Sequence, residues 1–435
     1  MSEETGQGSR APIARHGRLG RGHPARHALG LIGIVMAVVL VSATSVAAIA
    51  TWQVFRQGKP AVAFQVMGPS GKATAAPEIS AYSGEVNMLV VATDTRTGQG
   101  AGFQDAANQA ASSGAGNNDT NLLIHINKDH TSMAVISLPR DLEVAFPACK
   151  NDQGGTTPAT SQAMLNTALD RGGDKLGLSC AAAAVSELTG VQINYGALIT
   201  FDGVVSMSTA IGGVTVCLAT PLVDDNVTPA LDLPAGNVPL VGAEAGAFLR
   251  SRHGVGFGGD TARISNQQVF MSSMMRQIVN GGVLTNPVKL YGLASTALKN
   301  VELSNTLDAA TLVKIGVAIR AIGLSNIVFL QYPSVDDPAD PNRLVPDEAG
   351  VAALKQALQS NQRIQLSPDS LGQSAVLAPG ATATPAPSAT TPAAGATGSA
   401  SPSGSASPSP SSSAAVLPST ATGQDASQQT CTAKK

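Results

Sequence analysis

The chain has 435 residues, of which only 13% are charged and 3% aromatic, and its formal net charge is -2 with an isoelectric point near 6.3. This balanced charge and the scarcity of aromatic side chains argue against a nucleic-acid partner, which would need clustered cations or rings for base stacking. Once two compositionally distinct ends are set aside, the length favours one large domain.

The N-terminal sequence predicts a membrane anchor. Residues 1–27 form a basic tail, and residues 28–50 carry no charge. As a helix, this run is long enough to cross about 30 Å of hydrocarbon, and its basic flank places the N-terminus in the cytoplasm and the rest of the chain outside. A cleaved signal peptide is the alternative, but the apolar run is longer than a usual signal core. We predict a single transmembrane helix over 28–50 and an extracellular stalk over 51–84.

Charged side chains flank the first apolar strands. Asp94 and Arg96 follow the first strand, Asp119 precedes the second, and Arg140 follows the third. The carboxyl ends of strands are where an open α/β sheet places its ligand groups. A short turn between the second and third strands predicts an antiparallel hairpin and therefore a mixed sheet. These strands are predicted at 87–92, 122–126 and 132–138.

The densest charged stretch reads FLRSRHGVGFGGDTARISNQQ. If Arg250 and Arg252 lie on an extended segment, the period of two puts both guanidinium groups on one face. The glycines allow a turn and a close approach to a ligand, after which Asp260, Arg263 and Gln267 share one face of a helix. Guanidinium groups bind phosphate oxygens bidentately, so the stretch predicts a site for a multiply charged anion, with pyrophosphate favoured. A solvated, salt-bridged surface helix is the alternative.

The rest of the pattern alternates helices and strands, which is typical of a layered α/β/α sandwich with a central mixed sheet. We predict this domain over 85–370, and a disordered tail over 371–435, where Ala, Pro, Ser, Thr and Gly come to dominate. Helices are predicted at 161–168, 181–188, 201–211, 261–279, 288–298, 307–321 and 347–359, and further strands at 195–199, 214–218 and 327–331.

Four cysteines are present, of which Cys149, Cys180 and Cys217 lie in the predicted domain and Cys431 lies in the tail. Outside the membrane a disulfide persists, so one pair among the first three is expected, without a choice of partners. No Cys-x-x-Cys or Cys-His spacing suggests zinc.

Short motifs follow one another in a specific order. They are NMLV at 87–90, DTR at 94–96, DT at 119–120, SLPRD at 137–141, LN at 165–166, GG at 172–173, LTG at 188–190, IGGV at 211–214, FLRSRHG at 248–254 and D-x-x-R-x-x-x-Q-Q at 260–268. Each motif is weak alone. In this order, together with the anchor, they resemble the LytR-CpsA-Psr proteins of bacterial cell-wall assembly.

The resemblance implies a membrane-anchored phosphotransferase, with its domain outside the cell, that takes a glycopolymer from a polyprenyl-pyrophosphate carrier and joins it to peptidoglycan by a phosphodiester. It also implies an apolar pocket between sheet and helices for the lipid tail. By resemblance, Asp94 and Asp119 bind Mg²⁺, while Asp260 and Gln267 complete the polar network. The arginines that resemble pyrophosphate ligands are Arg96, Arg140, Arg250, Arg252 and Arg263.

Within this set, Arg140, Arg250 and Arg252 are assigned to catalysis, since guanidinium groups stabilise the charge that develops on a leaving lipid phosphate. The acceptor hydroxyl, by resemblance the C6 hydroxyl of a muramic acid residue, needs a base. Asp94, Asp260 and the metal-bound phosphate all fit that role, and the sequence leaves the choice open.

The chain departs from the family pattern at two positions. Asn117 stands two residues before Asp119, where the family usually has arginine, and Asn266 stands where another arginine is frequent. These departures keep two alternatives open: a non-catalytic protein that binds polyprenyl lipid or wall glycan, and a pyrophosphatase with water as acceptor. Without the resemblance, Asp94 and Asp119 are also common strand-end turn residues. The expected partners are the lipid-linked glycopolymer, peptidoglycan and the membrane, and the identity of the glycopolymer stays open.

Overall fold

The computed structural model describes residues 58–66, 68–69, 79–80, 83–95, 115–280, 287–367, 369–381 and 414–435. The predicted basic tail, the predicted transmembrane helix and Arg96 lie outside these ranges. Among the helices within them, none is long and apolar enough to cross a membrane.

The strands are β1 (Val86–Thr93), β2 (Asn118–Ile126), β3 (Met133–Leu138), β4 (Glu143–Phe146), β5 (Cys149–Lys150), β6 (Thr156–Thr157), β7 (Thr160–Met164), β8 (Tyr195–Thr200), β9 (Val214–Leu218), β10 (Leu222–Asp224), β11 (Leu231–Leu233), β12 (Gly236–Leu240), β13 (Val301–Leu303), β14 (Ile327–Gln331), β15 (Ser334–Asp336), β16 (Leu344–Pro346), β17 (Ile364–Leu366), β18 (Ala375–Leu377), β19 (Ala415–Leu417), β20 (Gly423–Asp425) and β21 (Thr430–Thr432). The α-helices are α1 (Ala168–Thr189), α2 (Phe201–Ala210), α3 (Ala243–Arg250), α4 (Gly259–Asn280), α5 (Pro287–Asn300), α6 (Ala309–Ile322) and α7 (Glu348–Gln359), and short 3₁₀ helices cover Leu165–Thr167 and Leu324–Asn326.

A seven-stranded mixed sheet forms the centre of the fold, in the order β13-β8-β1-β2-β3-β14-β20. The strands β1, β2 and β3 are antiparallel neighbours, while β1 pairs with β8 and β3 with β14 in parallel. The predicted hairpin and the predicted mixed sheet are therefore confirmed. A smaller sheet, in the order β12-β9-β21-β18, contacts helix α4.

Helices cover both faces of the central sheet, as the layered pattern predicts. On one face, Leu89, Val91 and Leu123 are fully buried in a cluster that includes residues of α1 and α7. On the other face, Val86 and Ile126 pack in a cluster with residues of α4 and α6. Strands that are covered on both sides explain the near-continuous apolar runs in the sequence.

Local capping sets several helix boundaries. The Asp308 side chain accepts the amide of Thr311 at the start of α6, and Asp347 accepts the amide of Gly350 at the start of α7. Such a cap typically contributes about 1 kcal/mol. At the other end of α1, Gly190 adopts a left-handed conformation with φ of 72°. These ends agree with the predicted helices to within a few residues.

One predicted helix is wrong. The segment at 161–168 forms strand β7 and a 3₁₀ turn, and only its last residue begins α1. Strand β7 pairs antiparallel with β4, so tertiary pairing overrides the local helical pattern.

The predicted disordered tail is wrong for residues 371–381, which include β18, and for residues 414–435. Strand β20 forms an edge of the central sheet, and β21 joins the smaller sheet between β9 and β18. A disulfide between Cys431 and Cys217 ties this segment to β9. The Ala/Pro/Ser/Thr-rich stretch at 382–413 lies outside the described residues.

The domain also begins earlier than predicted. Phe64 and Val66, within the predicted stalk, are buried in the main core, and Val62 forms a bridge with Ser304 beside β13. The expected disulfide among the first three cysteines is present and joins Cys149 to Cys180.

Candidate active site

The end of β1 and the start of β2 hold Asp94 and Asp119 at one edge of the central sheet. The Asp94 amide donates to the Asn117 carbonyl at 3.0 Å. This close crossing requires Gly116, which has φ of 68°, because an added Cβ would lie 2.6 Å from the Thr95 nitrogen. The chain therefore meets the end of β1 closely just before it enters β2.

Arg140 and Arg263 converge on Asp119 from different elements. Arg140, which follows β3, places Nη1 against Asp119 Oδ1 and donates from Nε to Asp141 Oδ1 at 3.1 Å. Arg263, on α4, donates from Nη2 to the Asp119 carbonyl at 2.8 Å. These contacts join α4 to the sheet edge.

Helix α4 presents a polar face, as its spacing predicts. Arg263 Nη2 lies 2.6 Å from Asp260 Oδ1, one helical turn away. Gln267 donates from Nε2 to the Leu249 carbonyl at 2.9 Å. The side chains of Arg263 and Asp260 are only 4% and 9% exposed, so this ion pair lies inside the protein.

Arg252 completes the group that we call the arginine cluster: Arg140, Arg252 and Arg263 with Asp119 and Asp260. Its Nη2 lies 3.7 Å from Asp260 Oδ1, and its side chain is 34% exposed. Arg252 is therefore the member of the cluster most open to a ligand.

The extended arrangement predicted for Arg250 and Arg252 is wrong. Arg250 is the last residue of α3, and its guanidinium donates to the carbonyls of Gly246 at 3.2 Å and Thr228 at 2.5 Å. Arg252 lies beyond the end of the helix, after Ser251, so the two arginines do not share one extended segment. Arg96, also predicted to bind pyrophosphate, lies outside the described residues.

Burial and neighbouring like charges act against the charged forms of Arg252 and Asp119. Burial, followed by the charge of Arg263, lowers the pKa of Arg252. Burial also raises the pKa of Asp119, and the nearby charge of Asp94 adds to this against the opposing effect of Arg140. An anion beside the guanidinium groups and a cation beside the two aspartates would each relieve this repulsion.

Several buried polar atoms of α4 lack a hydrogen-bond partner among the described residues. They are both carboxylate oxygens of Asp260, Nε of Arg263, Oε1 of Gln267 and Nε2 of Gln268. The 2.6 Å contact between Arg263 and Asp260 is thus a close ion pair without hydrogen-bond alignment. Buried polar groups are normally satisfied, so these atoms require a water, an ion or a polar ligand as a partner.

Partly exposed apolar side chains line the sheet beside this polar edge, and we call the space that they border the apolar gap. On the α4 and α6 face, the paired side chains of Met88 with Ile124 and Val90 with Leu122 are only half-buried, although they belong to the innermost strands. Their opposite-face neighbours are fully buried. Central strands covered by helices normally bury both faces, so the exposure indicates space between sheet and helices.

Asp94 and Asp119 fit a magnesium site. They are two neighbouring carboxylates whose charges interact unfavourably. The described residues contain no group of three or more His, Cys, Asp or Glu side chains suited to a metal. Mg²⁺ requires only one or two protein carboxylates when phosphate oxygens and water complete its shell, so this pair fits it in the presence of a phosphorylated substrate.

A comparison with protein families decides the relationship. The model of the LytR_cpsA_psr family matches residues 57–360, which is more than half of the chain. The chain belongs to this family. The match covers every site residue described above, and it confirms the resemblance drawn from the motifs.

Individual relatives support the same family. Cell wall biosynthesis protein LcpA of Corynebacterium glutamicum is 29% identical over 283 residues, which are 60% of this chain and 52% of the relative. Probable cell wall biosynthesis protein LcpB of the same organism is 28% identical over 282 residues, 65% of this chain and 63% of the relative. The TagU protein of Bacillus cereus, named polyisoprenyl-teichoic acid--peptidoglycan teichoic acid transferase, is 27% identical over 195 residues, 44% of this chain and 56% of the relative. The chain thus spans between half and two thirds of these relatives.

The first departure from the LytR-CpsA-Psr pattern, Asn117, has a defined local role. Its backbone amide donates to Asp94 Oδ1 at 2.7 Å, and its side-chain amide donates to Oδ2 at 3.2 Å. Asn117 therefore orients the carboxylate of Asp94 through neutral hydrogen bonds.

The second departure, Asn266, contacts the C-terminal segment at 414–435. Asn266 is fully buried and donates to the Phe248 carbonyl at 2.8 Å, while its Oδ1 accepts the Thr432 hydroxyl at 2.7 Å. An arginine here would displace the β21 strand that Thr432 ends, so the asparagine is matched to this segment.

Sequence reasoning missed two contributors to the site. Asp224 accepts hydrogen bonds from residues on both sides of Arg252. The C-terminal segment binds the glycine-containing loop at 254–259, since the Gly256 amide donates to the Ala433 carbonyl and the Gly256 carbonyl accepts from the Lys435 amide. The first signal was the adjacent acidic residues Asp224 and Asp225 at the end of β10, and the second was Cys431 near the end of a tail that otherwise lacks cysteine.

Proposed function

We propose that this LytR-CpsA-Psr protein is a membrane-anchored, extracellular phosphotransferase that moves a glycopolymer from a polyprenyl-pyrophosphate carrier to peptidoglycan. The observation that carries the proposal is the arginine cluster beside the apolar gap: Arg252 is 34% exposed, and Nε of Arg263 lacks a hydrogen-bond partner among the described residues. A ligand that suits both has a doubly phosphorylated head and a long hydrocarbon tail. The name of TagU, which is similar to this chain, describes the transfer of a polyisoprenyl-linked polymer to peptidoglycan.

In the proposed complex, the pyrophosphate lies against Arg140, Arg252 and Arg263, and the lipid lies in the apolar gap. Planar guanidinium groups match phosphate oxygens bidentately. Met271 and Met275 of α4 pack against the same apolar cluster as Met88 and Ile124, and flexible thioether side chains adapt to a lipid of irregular shape.

The proposed reaction breaks one phosphoanhydride bond. The acceptor hydroxyl oxygen bonds to the phosphorus that carries the glycopolymer, and the bond from that phosphorus to the bridging oxygen breaks. Polyprenyl phosphate leaves with the bridging oxygen and its electron pair, while the hydroxyl proton passes to a carboxylate. The arginines stabilise charge as it develops on the leaving phosphate.

We assign proton acceptance to Asp94. Asp260 is occupied as the counter-ion of Arg263, whose Nη2 lies 2.6 Å from Asp260 Oδ1. Asp94 instead accepts hydrogen bonds from the neutral amide groups of Asn117. A magnesium ion held by Asp94 and Asp119 would supply charge neutralisation at the pyrophosphate.

The proposal is tested by incubating the full-length protein in detergent with a synthetic polyprenyl-pyrophosphate glycan and peptidoglycan oligomers, with products identified by mass spectrometry. We expect a Mg²⁺-dependent product that EDTA abolishes, and a roughly 10²–10³-fold lower rate for Arg252→Ala. The control is Arg363→Ala, which removes a half-exposed arginine that donates to the Ser325 carbonyl outside the cluster.

Asn117 and Asn266, in place of family arginines, favour a second candidate: a binding protein for polyprenyl lipid. It predicts lipid retention by the wild-type protein and no transfer with any donor glycan. Equal rates for Arg252→Ala and Arg363→Ala would also contradict the proposed site.

A further inference from the structure

A buried carboxylate outside the arginine cluster organises the backbone from which Arg252 projects. Asp224, the last residue of β10, is only 2% exposed. Its Oδ2 accepts the Ser251 hydroxyl at 2.6 Å, the Gly254 amide at 3.3 Å and the His253 amide at 3.4 Å. One carboxylate oxygen therefore binds the chain immediately before and immediately after Arg252.

The other oxygen fixes Asp224 itself. Oδ1 accepts the backbone amide of Asn226 at 3.0 Å and its side-chain amide at 3.1 Å. Burial alone raises the pKa of Asp224, but the hydrogen bonds from Ser251 and Asn226 outweigh it and lower the pKa to about 2. The group is thus ionised at any physiological pH, and hydrogen bonds to an ionised acceptor are stronger than neutral ones.

The loop also packs tightly on β10. A Cβ added at Gly254 would lie 3.0 Å from the Val223 carbonyl oxygen and 3.1 Å from the Asp224 Cβ. This close packing brings the Gly254 amide within hydrogen-bond distance of the Asp224 carboxylate. A larger residue would push the loop away and lengthen the hydrogen bonds that bracket Arg252.

Arg252 gains from such a support because its own side chain is weakly restrained. It is 34% exposed, and its contact with Asp260 is 3.7 Å long. A long side chain loses rotamer freedom when it binds a ligand, and a fixed backbone confines that loss to the side chain. By contrast, Arg263 is held by the rigid helix α4 and is 4% exposed.

We propose that Asp224 is a positioning residue for Arg252: it fixes the backbone on both sides so that the guanidinium meets the anion bound by Arg140 and Arg263. The identity of that anion as a lipid pyrophosphate rests on the proposed function. The positioning role itself concerns any pyrophosphate group in the cluster.

The test measures binding of inorganic pyrophosphate to the full-length protein in detergent by calorimetry, and the KM for the lipid donor. Asp224→Asn replaces one acceptor oxygen by an N–H₂ group that faces other donors. We expect pyrophosphate binding roughly tenfold weaker and a matching rise in KM. Asp225→Asn makes the same change at the exposed neighbouring residue, and we expect it to bind as the wild type does.

A double-mutant cycle separates positioning from general support of the fold. If Asp224 acts through Arg252, Asp224→Asn weakens pyrophosphate binding less than twofold in the Arg252→Ala background. An equal loss of pyrophosphate affinity in the wild-type and Arg252→Ala backgrounds, or unchanged binding in Asp224→Asn, would overturn the proposal.

If Asp224→Asn melts at a much lower temperature than the wild type, Ser251→Ala is the second variant. It removes the hydrogen bond from the Ser251 hydroxyl to Asp224, and we expect its loss of pyrophosphate affinity to disappear in the Arg252→Ala background as well. Failure of the wild type to transfer glycan would contradict the proposed function, whereas the pyrophosphate cycle decides this inference alone.

Discussion

His125 lies on β2, at the end of the central sheet away from the arginine cluster. It is 3% exposed, and its Nδ1 bonds to Asn87 Oδ1 at 2.7 Å. Burial lowers its pKa from 6.5 to about 4, against the opposing charge of Glu85. The folded protein therefore holds a neutral imidazole inside its core.

This burial predicts a loss of stability in acid. Between pH 6.5 and 4 the unfolded chain binds more protons at His125 than the folded chain does, so the free energy of unfolding falls as the pH falls. The contribution is on the order of 2–3 kcal/mol. Urea unfolding at pH 7 and pH 4.5 should show that His125→Asn, which retains a donor for Asn87, loses this part of the pH dependence. If the free energy of unfolding of His125→Asn differs between pH 7 and pH 4.5 by as much as that of the wild type, the assignment is contradicted.

At the residue scale, most cluster members were predictable from sequence. The spacing of Asp260, Arg263 and Gln267 on a helix face fixed their common orientation, because helical periodicity is local. Arg250 was misplaced because the end of α3 falls between it and Arg252, and helix boundaries depend on tertiary contacts. Asp224 gave little signal, since a carboxylate that binds backbone amides has no characteristic spacing.

At the element scale, the C-terminal segment is a structural part of the site. The Thr432 hydroxyl donates to Asn266, and the Gln424 side chain donates to the Gln268 carbonyl. The C-terminal segment therefore binds α4 at two neighbouring positions. Arg276, farther along α4, donates to the carbonyls of Ala426 and Gln428. Composition could not show this, because the average over a long Ala/Pro/Ser/Thr-rich stretch hides a short segment that pairs with distant strands.

The two disulfides should differ in their contribution to stability. Cys217 and Cys431 are 214 residues apart, whereas Cys149 and Cys180 are 31 apart. Loop-closure entropy grows with the logarithm of the closed loop, so the longer one contributes about 2 kcal/mol more. Urea midpoints and slopes for Cys217→Ser/Cys431→Ser and Cys149→Ser/Cys180→Ser would show this. Equal destabilisation would contradict the chain-entropy account of the C-terminal segment.

At the scale of the whole molecule, the chain joins a polar edge and an apolar gap on one sheet. The sheet order was partly predictable, because short turns imply antiparallel neighbours, as between β2 and β3. The positions of β14 and β20 depend on long-range pairing that no local pattern encodes. The gap likewise follows from incomplete packing of helices on central strands, which sequence patterns do not report.

Transfer of the sugar-linked phosphate to peptidoglycan is tested most directly by isotope labelling of that phosphate. A donor that carries ³²P only at the phosphorus attached to the glycan is incubated with the full-length protein, Mg²⁺ and peptidoglycan oligomers. We expect the label in the peptidoglycan product together with one equivalent of unlabelled polyprenyl phosphate, and neither without acceptor. Label that appears as a soluble glycan phosphate at the same rate with and without peptidoglycan would show hydrolysis and contradict the account.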